Sequence, residues 1–361
     1  MQTVQMDYRD LATFATRVMQ ATGCDEKRAK IVAEVLVEAD ARGIASHGVA
    51  RLRRYVSHIA QGLINPASEP VVVKETPLSV TIDGNVAVGQ YVADVAMKKA
   101  IAKAQETGIG LVAVRNSNHF GIAGYFAEQC VDHGMLGVVL SNTGPYVVPT
   151  NGKSPILGTN PLAVAFPTWQ GSPVLLDMAT SVVPLGRLET YSRRGLSIPQ
   201  GWAVDQTGRS VTNPEQVLSD LKDNGTGGIL ALGGEGEEFG GHKGFGLALL
   251  VELFTAGLTQ GTWSAETYRE RGGICHFFCA LKLDLFGDPS AITGHITSII
   301  DQIRNSERAD GAERIFIHGE KEYEARSKSL VEGVTLGDAT YRALKELAQE
   351  FDIELEPDGR R

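Results

Sequence analysis

Two histidines sit in surroundings that suit proton exchange. His119 lies in the run Arg115-Asn-Ser-Asn-His-Phe-Gly121, and His47 in Ser46-His47-Gly48. An imidazole changes charge close to neutral pH, so each can exchange a proton with a hydroxyl or carbonyl oxygen. Arg51 and Tyr55 follow His47 at i+4 and i+8, which would align a proton-transfer group, a guanidinium and a phenol on one helical face. The planar fork of arginine bonds both oxygens of a carboxylate. Each group also admits a plainer role, because Asn and His close loops and cap helices, and a His/Arg/Tyr face can simply be solvated. Together, a carboxylate clamp and two proton-exchange groups point to chemistry on a small hydroxy or keto acid.

Such residues need rigid supports, and the hydrophobic spacing predicts them. Ile109–Val114 reads as a buried strand and Ile122–His133 as a helix, so His119 falls in a strand-to-helix loop whose following helix end would favour an anion and a neutral imidazole. Leu11, Phe14 and Val18 mark a first helix, and Ile31 to Ala39 a second that Gly43 can end. Val49, Leu52, Val56 and Ile59 mark a third, with Ser46 suited to its N-cap. Past Pro66 the pattern turns mixed. Strands are expected at 71–73 and 78–82 around the turn Asp83-Gly84, then at 136–140, 162–166, 174–176, 275–285 and 314–317, with a hairpin around Thr207-Gly208. Helices are expected at 92–104, 241–258, 292–303 and 339–351. The loops Ser141-Asn142-Thr143, Gly158-Thr159-Asn160 and Asp177-Met178-Ala179-Thr180-Ser181 follow or precede strands and offer hydroxyls, amides and a carboxylate to a polar ligand, although turn chemistry explains each alone. Lys243 and Gly244 open the helix at 241, where charge and close backbone approach suit a phosphate or carboxylate.

A net charge of −9 and one dense basic cluster, Arg51, Arg53 and Arg54, argue against a nucleic-acid or anionic-membrane binder. No apolar run reaches membrane-spanning length, the first ten residues lack a signal-peptide pattern, and four cysteines without zinc or disulfide spacing fit a cytoplasmic protein. G-x-G-x-x-G after a strand, the P-loop, G-x-S-x-G and H-E-x-x-H are all missing, so Rossmann, P-loop and zincin chemistry are disfavoured and no metal is expected.

Taken in order, Ser46-His47-Gly48 with Arg51 and Tyr55, Asn116-Ser-Asn-His119-Phe-Gly121, Gly158-Thr-Asn-Pro161, Asp177-Met-Ala-Thr-Ser181 and His242-Lys-Gly-Phe-Gly246 resemble the type-2 malate/L-lactate dehydrogenase family over nearly the whole chain. The resemblance implies an α/β (mixed α+β) fold unrelated to Rossmann. It implies an amino-terminal helical subdomain over 1–75 that packs with 289–361 as a substrate and dimerisation domain, and an NAD(P)-binding domain over 76–288. It further implies hydride transfer between NAD or NADP and a malate- or lactate-like 2-hydroxy acid, in a homodimer. His119 is then expected as proton acceptor, with His47 as its partner and Asp177 orienting a histidine. Ser46, Arg51, Tyr55 and Asn118 would bind substrate. His119, Ser141, Asn142, Thr159, the 177–181 segment, Lys243, Gly244, Gly319, Glu320 and Lys321 would line the cofactor. Reduction of a cyclic imine (Δ1-piperideine- or Δ1-pyrroline-2-carboxylate) is an alternative within the family, and a non-catalytic small-molecule binder is an alternative outside it. The Gly233–Gly241 loop departs from the family pattern.

Overall fold

The computed structural model describes residues 3–269 and 273–355. The chain begins with strand β1 (Thr3–Met6) and helices α1 (Tyr8–Ala21) and α2 (Glu26–Ala41), opened by Asp7 and Asp25, whose carboxylates accept the first free N–H groups. Two 3₁₀ turns, Ala45–His47 and Val49–Arg51, then precede α3 (Leu52–Ala60). The helix expected from Val49 forms, its first turn 3₁₀ and the rest α; extended Gly48 precedes it and separates it from the Ala45–His47 turn, so Ser46 is not its N-cap and its hydroxyl lies on His47 Nδ1 instead. β2 (Val71–Glu75) and β3 (Ser79–Asp83) form a hairpin that turns at 76–78, where the Thr76 hydroxyl accepts the Leu78 and Ser79 N–H groups, and not at Asp83-Gly84. α4 (Gly89–Thr107) crosses to β4 (Ile109–Ser117), which pairs parallel with β3.

The expected helix over Ile122–His133 is split into α5 (Ala123–Glu128) and a 3₁₀ turn at Val131–His133. β5 (Met135–Ser141), β6 (Val147–Val148), β7 (Leu162–Phe166), β8 (Val174–Met178), α6 (Leu185–Arg193), β9 (Ala203–Val204), α7 (Pro214–Ser219) and β10 (Gly228–Leu230) follow. α8 (Gly241–Glu252) continues into a π turn at Leu253–Gly257, and β11 (Ile274–Lys282), α9 (Pro289–Arg304), α10 (Glu320–Glu332), β12 (Val334–Gly337) and α11 (Asp338–Phe351) complete the chain. The strand expected over 314–317 does not form. Arg314 instead pairs with Glu320 and Glu324 of α10, which holds the segment as irregular chain.

Seven strands make the central sheet in the order β2-β3-β4-β11-β5-β7-β8, antiparallel everywhere except β3–β4. That is the mixed α/β, non-Rossmann architecture, since a Rossmann sheet is mostly parallel. β3, β4, β5 and β7 alternate buried and half-buried residues, so one face packs on α4 and α5 through Ile82, Met97, Val112, Phe126 and Phe278. A second core joins α1, α2 and α3 to the β1–β12 ribbon and α11 through Leu11, Leu36, Leu52, Leu336 and Leu344. A third lies between the small β6-β10-β9 sheet and α6. β2 is part of the large sheet, so the amino-terminal helical subdomain ends before Val71 and not at the expected residue 75. α9 touches the loop after β7, where Thr297 accepts the Trp169 N–H, and contacts α10 through Arg304 and Glu320. Glu38 and Glu128 bracket Arg42 at 2.8 and 2.5 Å, with Arg326 also on Glu38 at 2.5 Å, which ties α2 to α5 and α10.

Candidate active site

The turn that carries His47 and Arg51 is held from below by α2. Asp40, buried in the body of that helix, accepts the Val49 N–H at 2.6 Å, and a Cβ on Gly48 would lie 2.1 Å from its carboxyl group. Only glycine fits there. Burial pushes the Asp40 carboxyl up to about 7, against the lowering effect of the Val49 hydrogen bond.

His47 and His119 meet across a cleft, with ring centroids 5.6 Å apart and planes within 17°. His47 Nδ1 lies 2.9 Å from the Ser46 hydroxyl, and His119 Nδ1 lies 2.6 Å from the Tyr55 hydroxyl. Burial, followed by Arg51 and Arg54, lowers His47 to about 4. Burial, then His47, Arg54, Arg51 and His276, holds His119 well below the ordinary histidine value. Both rings are therefore neutral at physiological pH. The helix end invoked from sequence is not the cause, because α5 begins four residues after His119.

The cleft encloses about 620 Å³ and is lined by Ser46, His47, Arg51, Arg54, His119, Ser141, Asn142, Thr159, Asp177, Met178, Ala179, Glu189 and Tyr268, among others. A second cavity of about 260 Å³ shares Ile44, Ile122 and Asp177 with it and is walled by Gly319 and Lys321. The two lobes joined at Asp177 suit a long ligand with two heads, as a dinucleotide is. Two buried knots fix the cleft floor. Glu252 of α8 receives the amides of Asn142 at 3.3 Å and Asn160 at 3.0 Å, together with the Ser264 hydroxyl. His276 bridges the Ser141 hydroxyl at 2.9 Å and the Ser117 hydroxyl at 2.8 Å.

Several predicted residues take other places. Tyr55 is 1% exposed and stands behind His119, so it positions the ring. Asn118 is buried with its amide donating to the carbonyls of Val86 and Ala87 at 3.2 and 2.9 Å, where it braces a loop in which Asn85 and Val86 hold positive φ. Among the described residues Asp177 has no hydrogen bond to a histidine; its carboxylate accepts the Gly124 N–H at 2.7 Å, and burial raises it to about 6. Thr180 donates to the carbonyls of Thr159 and Asn160, and Ser181 to that of Val183, so these hydroxyls shape their segment. Glu320 is engaged by Arg304, Arg314 and the Ile317 N–H. Lys243 and Gly244 line neither cavity, and Gly244 is there because a Cβ would strike the Leu232 backbone.

Arg54, Glu189 and Tyr268 were missed. Arg54 had a signal, since it lies at i+7 from His47 on the same helical repeat. Tyr268 had none: it reaches the cleft from a distant turn with φ of +60°, a strained setting for a bulky residue, and packs against the His58 ring.

Residues 6–345 match the malate/L-lactate dehydrogenase family profile. The malate dehydrogenase of Pyrococcus abyssi is 44% identical over 97% of this chain and 96% of its own length, and the L-sulfolactate dehydrogenase of Methanocaldococcus jannaschii is 37% identical over 94% and 95%. The crystal structure of malate dehydrogenase from Entamoeba histolytica superposes with a TM-score of 0.95 at 34% identity, covering 98% of this chain and 99% of that one. With this site on this sheet, the chain belongs to the malate/L-lactate dehydrogenase family, the oxidoreductases that move a hydride between NAD(P) and a 2-hydroxy acid.

Proposed function

We propose that the substrate is a 2-hydroxy acid bearing a second anionic group, of the malate or sulfolactate kind. The observation that carries this is a pair of guanidiniums, Arg51 and Arg54, in the same cleft as the two neutral histidines. A lactate-like acid occupies one of them, whereas a doubly anionic acid engages both and cancels the positive charge that depresses His47 and His119. The relatives named for malate and sulfolactate act on acids of this doubly charged type. A cyclic imino acid has one carboxylate and leaves the second guanidinium unused. Arg51, whose Nε donates to the Ser46 carbonyl at 2.6 Å, is held in place for the carboxylate beside the reacting carbon.

Ser141, Asn142, Thr159, Met178 and Ala179 along the larger lobe and Gly319 and Lys321 along the smaller would hold the dinucleotide. When bound, NAD(P) accepts or returns the hydride. The hydroxyl proton is exchanged between the two neutral histidines and the substrate oxygen they flank, with His47 as one candidate acceptor, and the buried floor keeps water from competing. We also assign the chain to a homodimer, formed not through the 1–75 and 289–361 unit that the resemblance implied but through α8, its π turn and the residue after it, where Leu247, Leu250, Leu253, Phe254 and Leu258 are exposed. No helix among the described residues is long and apolar enough to cross a membrane. With Cys24, Cys130, Cys275 and Cys279 all free thiols, the cytoplasm is the compartment we propose.

Initial rates on malate, sulfolactate, lactate and a cyclic imino acid, each with NAD and NADP cofactors, test the reading. The doubly anionic acids are expected to exceed lactate in kcat/KM by at least about 10-fold, and Arg54→Leu to erase most of that advantage. Equal use of lactate and malate would remove the role given to Arg54, and turnover of the imine alone would favour the reductase alternative.

A further inference from the structure

We infer that His119 works as a neutral hydrogen-bond donor to the substrate oxygen, locked in one tautomer by Tyr55 and the Gly121 amide, while His47 alone exchanges the proton. This rests on the hydroxy acid reading and reverses the order of the two histidines expected from sequence. Two groups converge on His119 Nδ1: the Tyr55 hydroxyl at 2.6 Å and the Gly121 backbone N–H at 3.4 Å. A hydroxyl can donate or accept, but a backbone N–H only donates. Nδ1 must therefore carry its lone pair, and Tyr55 donates to it. The phenol oxygen in turn lies near Gln90, a fully buried side chain whose amide has no hydrogen-bond partner among the described residues and lowers the cost of negative charge on that oxygen. With Nδ1 accepting, the neutral ring bears its hydrogen on Nε2, the nitrogen left for the cleft.

A ring in that state cannot take the substrate proton at Nε2, which already holds one. It could become an imidazolium only by protonation at Nδ1, which would point a hydrogen at the Gly121 N–H and force Tyr55 to turn. His47 is free of this constraint. Among the described residues its Nδ1 is hydrogen-bonded only to the Ser46 hydroxyl, which serves either protonation state, so Nε2 can gain and lose a proton without rearrangement. In the oxidation the substrate oxygen accepts the His119 N–H, and its own proton passes to His47 Nε2. The hydrogen on the same carbon leaves with its electron pair to NAD(P)+, and reduction reverses these movements. A neutral imidazole N–H aimed at the oxygen stabilises the charge that develops there.

Ring 15N–1H spectra of 15N-histidine-labelled enzyme between pH 5 and 8, with the His119 signal assigned by its loss in His119→Gln, test the lock directly. The expected result is an Nε2–H tautomer that does not titrate, and its mixing with the other tautomer in Tyr55→Phe. An Nδ1–H tautomer, or a His119 ring that protonates in this range, would overturn the proposal. In kinetics, His119→Gln, whose carboxamide N–H can stand in for Nε2–H, is expected to keep kcat within about 10-fold, whereas His47→Gln loses roughly 10²-fold or more. Tyr55→Phe is expected to lower kcat by about 10-fold with little change in KM. Equal losses in the two glutamine variants would also overturn it. Because the spectra need no substrate, a failure of all hydroxy acids to react would sink the functional reading while leaving the tautomer measured.

Discussion

His47 and His119 are stacked beside two arginines, so a proton placed on either ring meets burial and positive charge together. This sets the pH dependence of the free enzyme. Oxidation needs His47 unprotonated, and with its value lowered to about 4, kcat/KM for oxidation should stay level from neutral pH downward and fall only as pH approaches 4. Arg54→Leu removes a nearby positive charge, makes the imidazolium less costly and should move that acid limb to higher pH. A limb that stays in place would show that burial and Arg51 set the value without Arg54. At this scale much was legible in the residues themselves: His47, Arg51 and His119 line the cleft, as their chemistry suggested. The roles of Tyr55, Asn118 and Asp177 were not, because a side chain that faces a ligand and one that props up its neighbour have the same type and the same spacing.

Among the elements, the two 3₁₀ turns around Gly48 set where His47 and Arg51 lie, and the Asp40 carboxyl beneath them holds the second turn through the Val49 N–H. Burial raises the pKa of this carboxyl from the ordinary 3.8 to about 7, so folding favours the neutral acid. The stability this contributes is full below about pH 3.8 and is lost as pH rises through about 7. Asp40→Asn keeps an acceptor for the Val49 N–H but cannot ionise. Thermal melts should show the variant gaining on the parent between pH 5 and 8, by roughly 1–3 kcal/mol. A difference independent of pH would mean that Asp40 stays neutral or charged throughout. The periodicity of Val49, Leu52, Val56 and Ile59 ran straight through this region, since 3₁₀ and α turns place apolar residues alike over so short a span. Only the carboxyl packed against Gly48 distinguishes them.

Across the whole molecule, the cleft draws its lining from positions 44 to 274, on elements that belong to three hydrophobic cores. The apolar outer face of α8, with Leu250 at 51% and Leu258 at 61% exposure, remains uncovered in a single chain. Leu250→Glu together with Leu258→Glu should convert the proposed dimer to monomer in light scattering after gel filtration, at unchanged far-ultraviolet dichroism. A parent that already runs as a monomer would remove the dimer. The first helices, most strands of the central sheet, the mixed class and the absence of a Rossmann fingerprint were legible in the sequence itself, because hydrophobic period and turn chemistry act over a few residues, whereas β1, β12, α6, α7 and α10 were not and the strand expected over 314–317 is irregular chain. The family motifs named the chemistry for the same reason. Which strands pair, that β11 inserts between β4 and β5, and that Tyr268, Glu252 and His276 reach the site are matters of long-range packing. So is the Tyr55 hydroxyl on His119: residues 64 positions apart in sequence acquire a fixed hydrogen bond, and with it a tautomer, only once the cores on either side have closed.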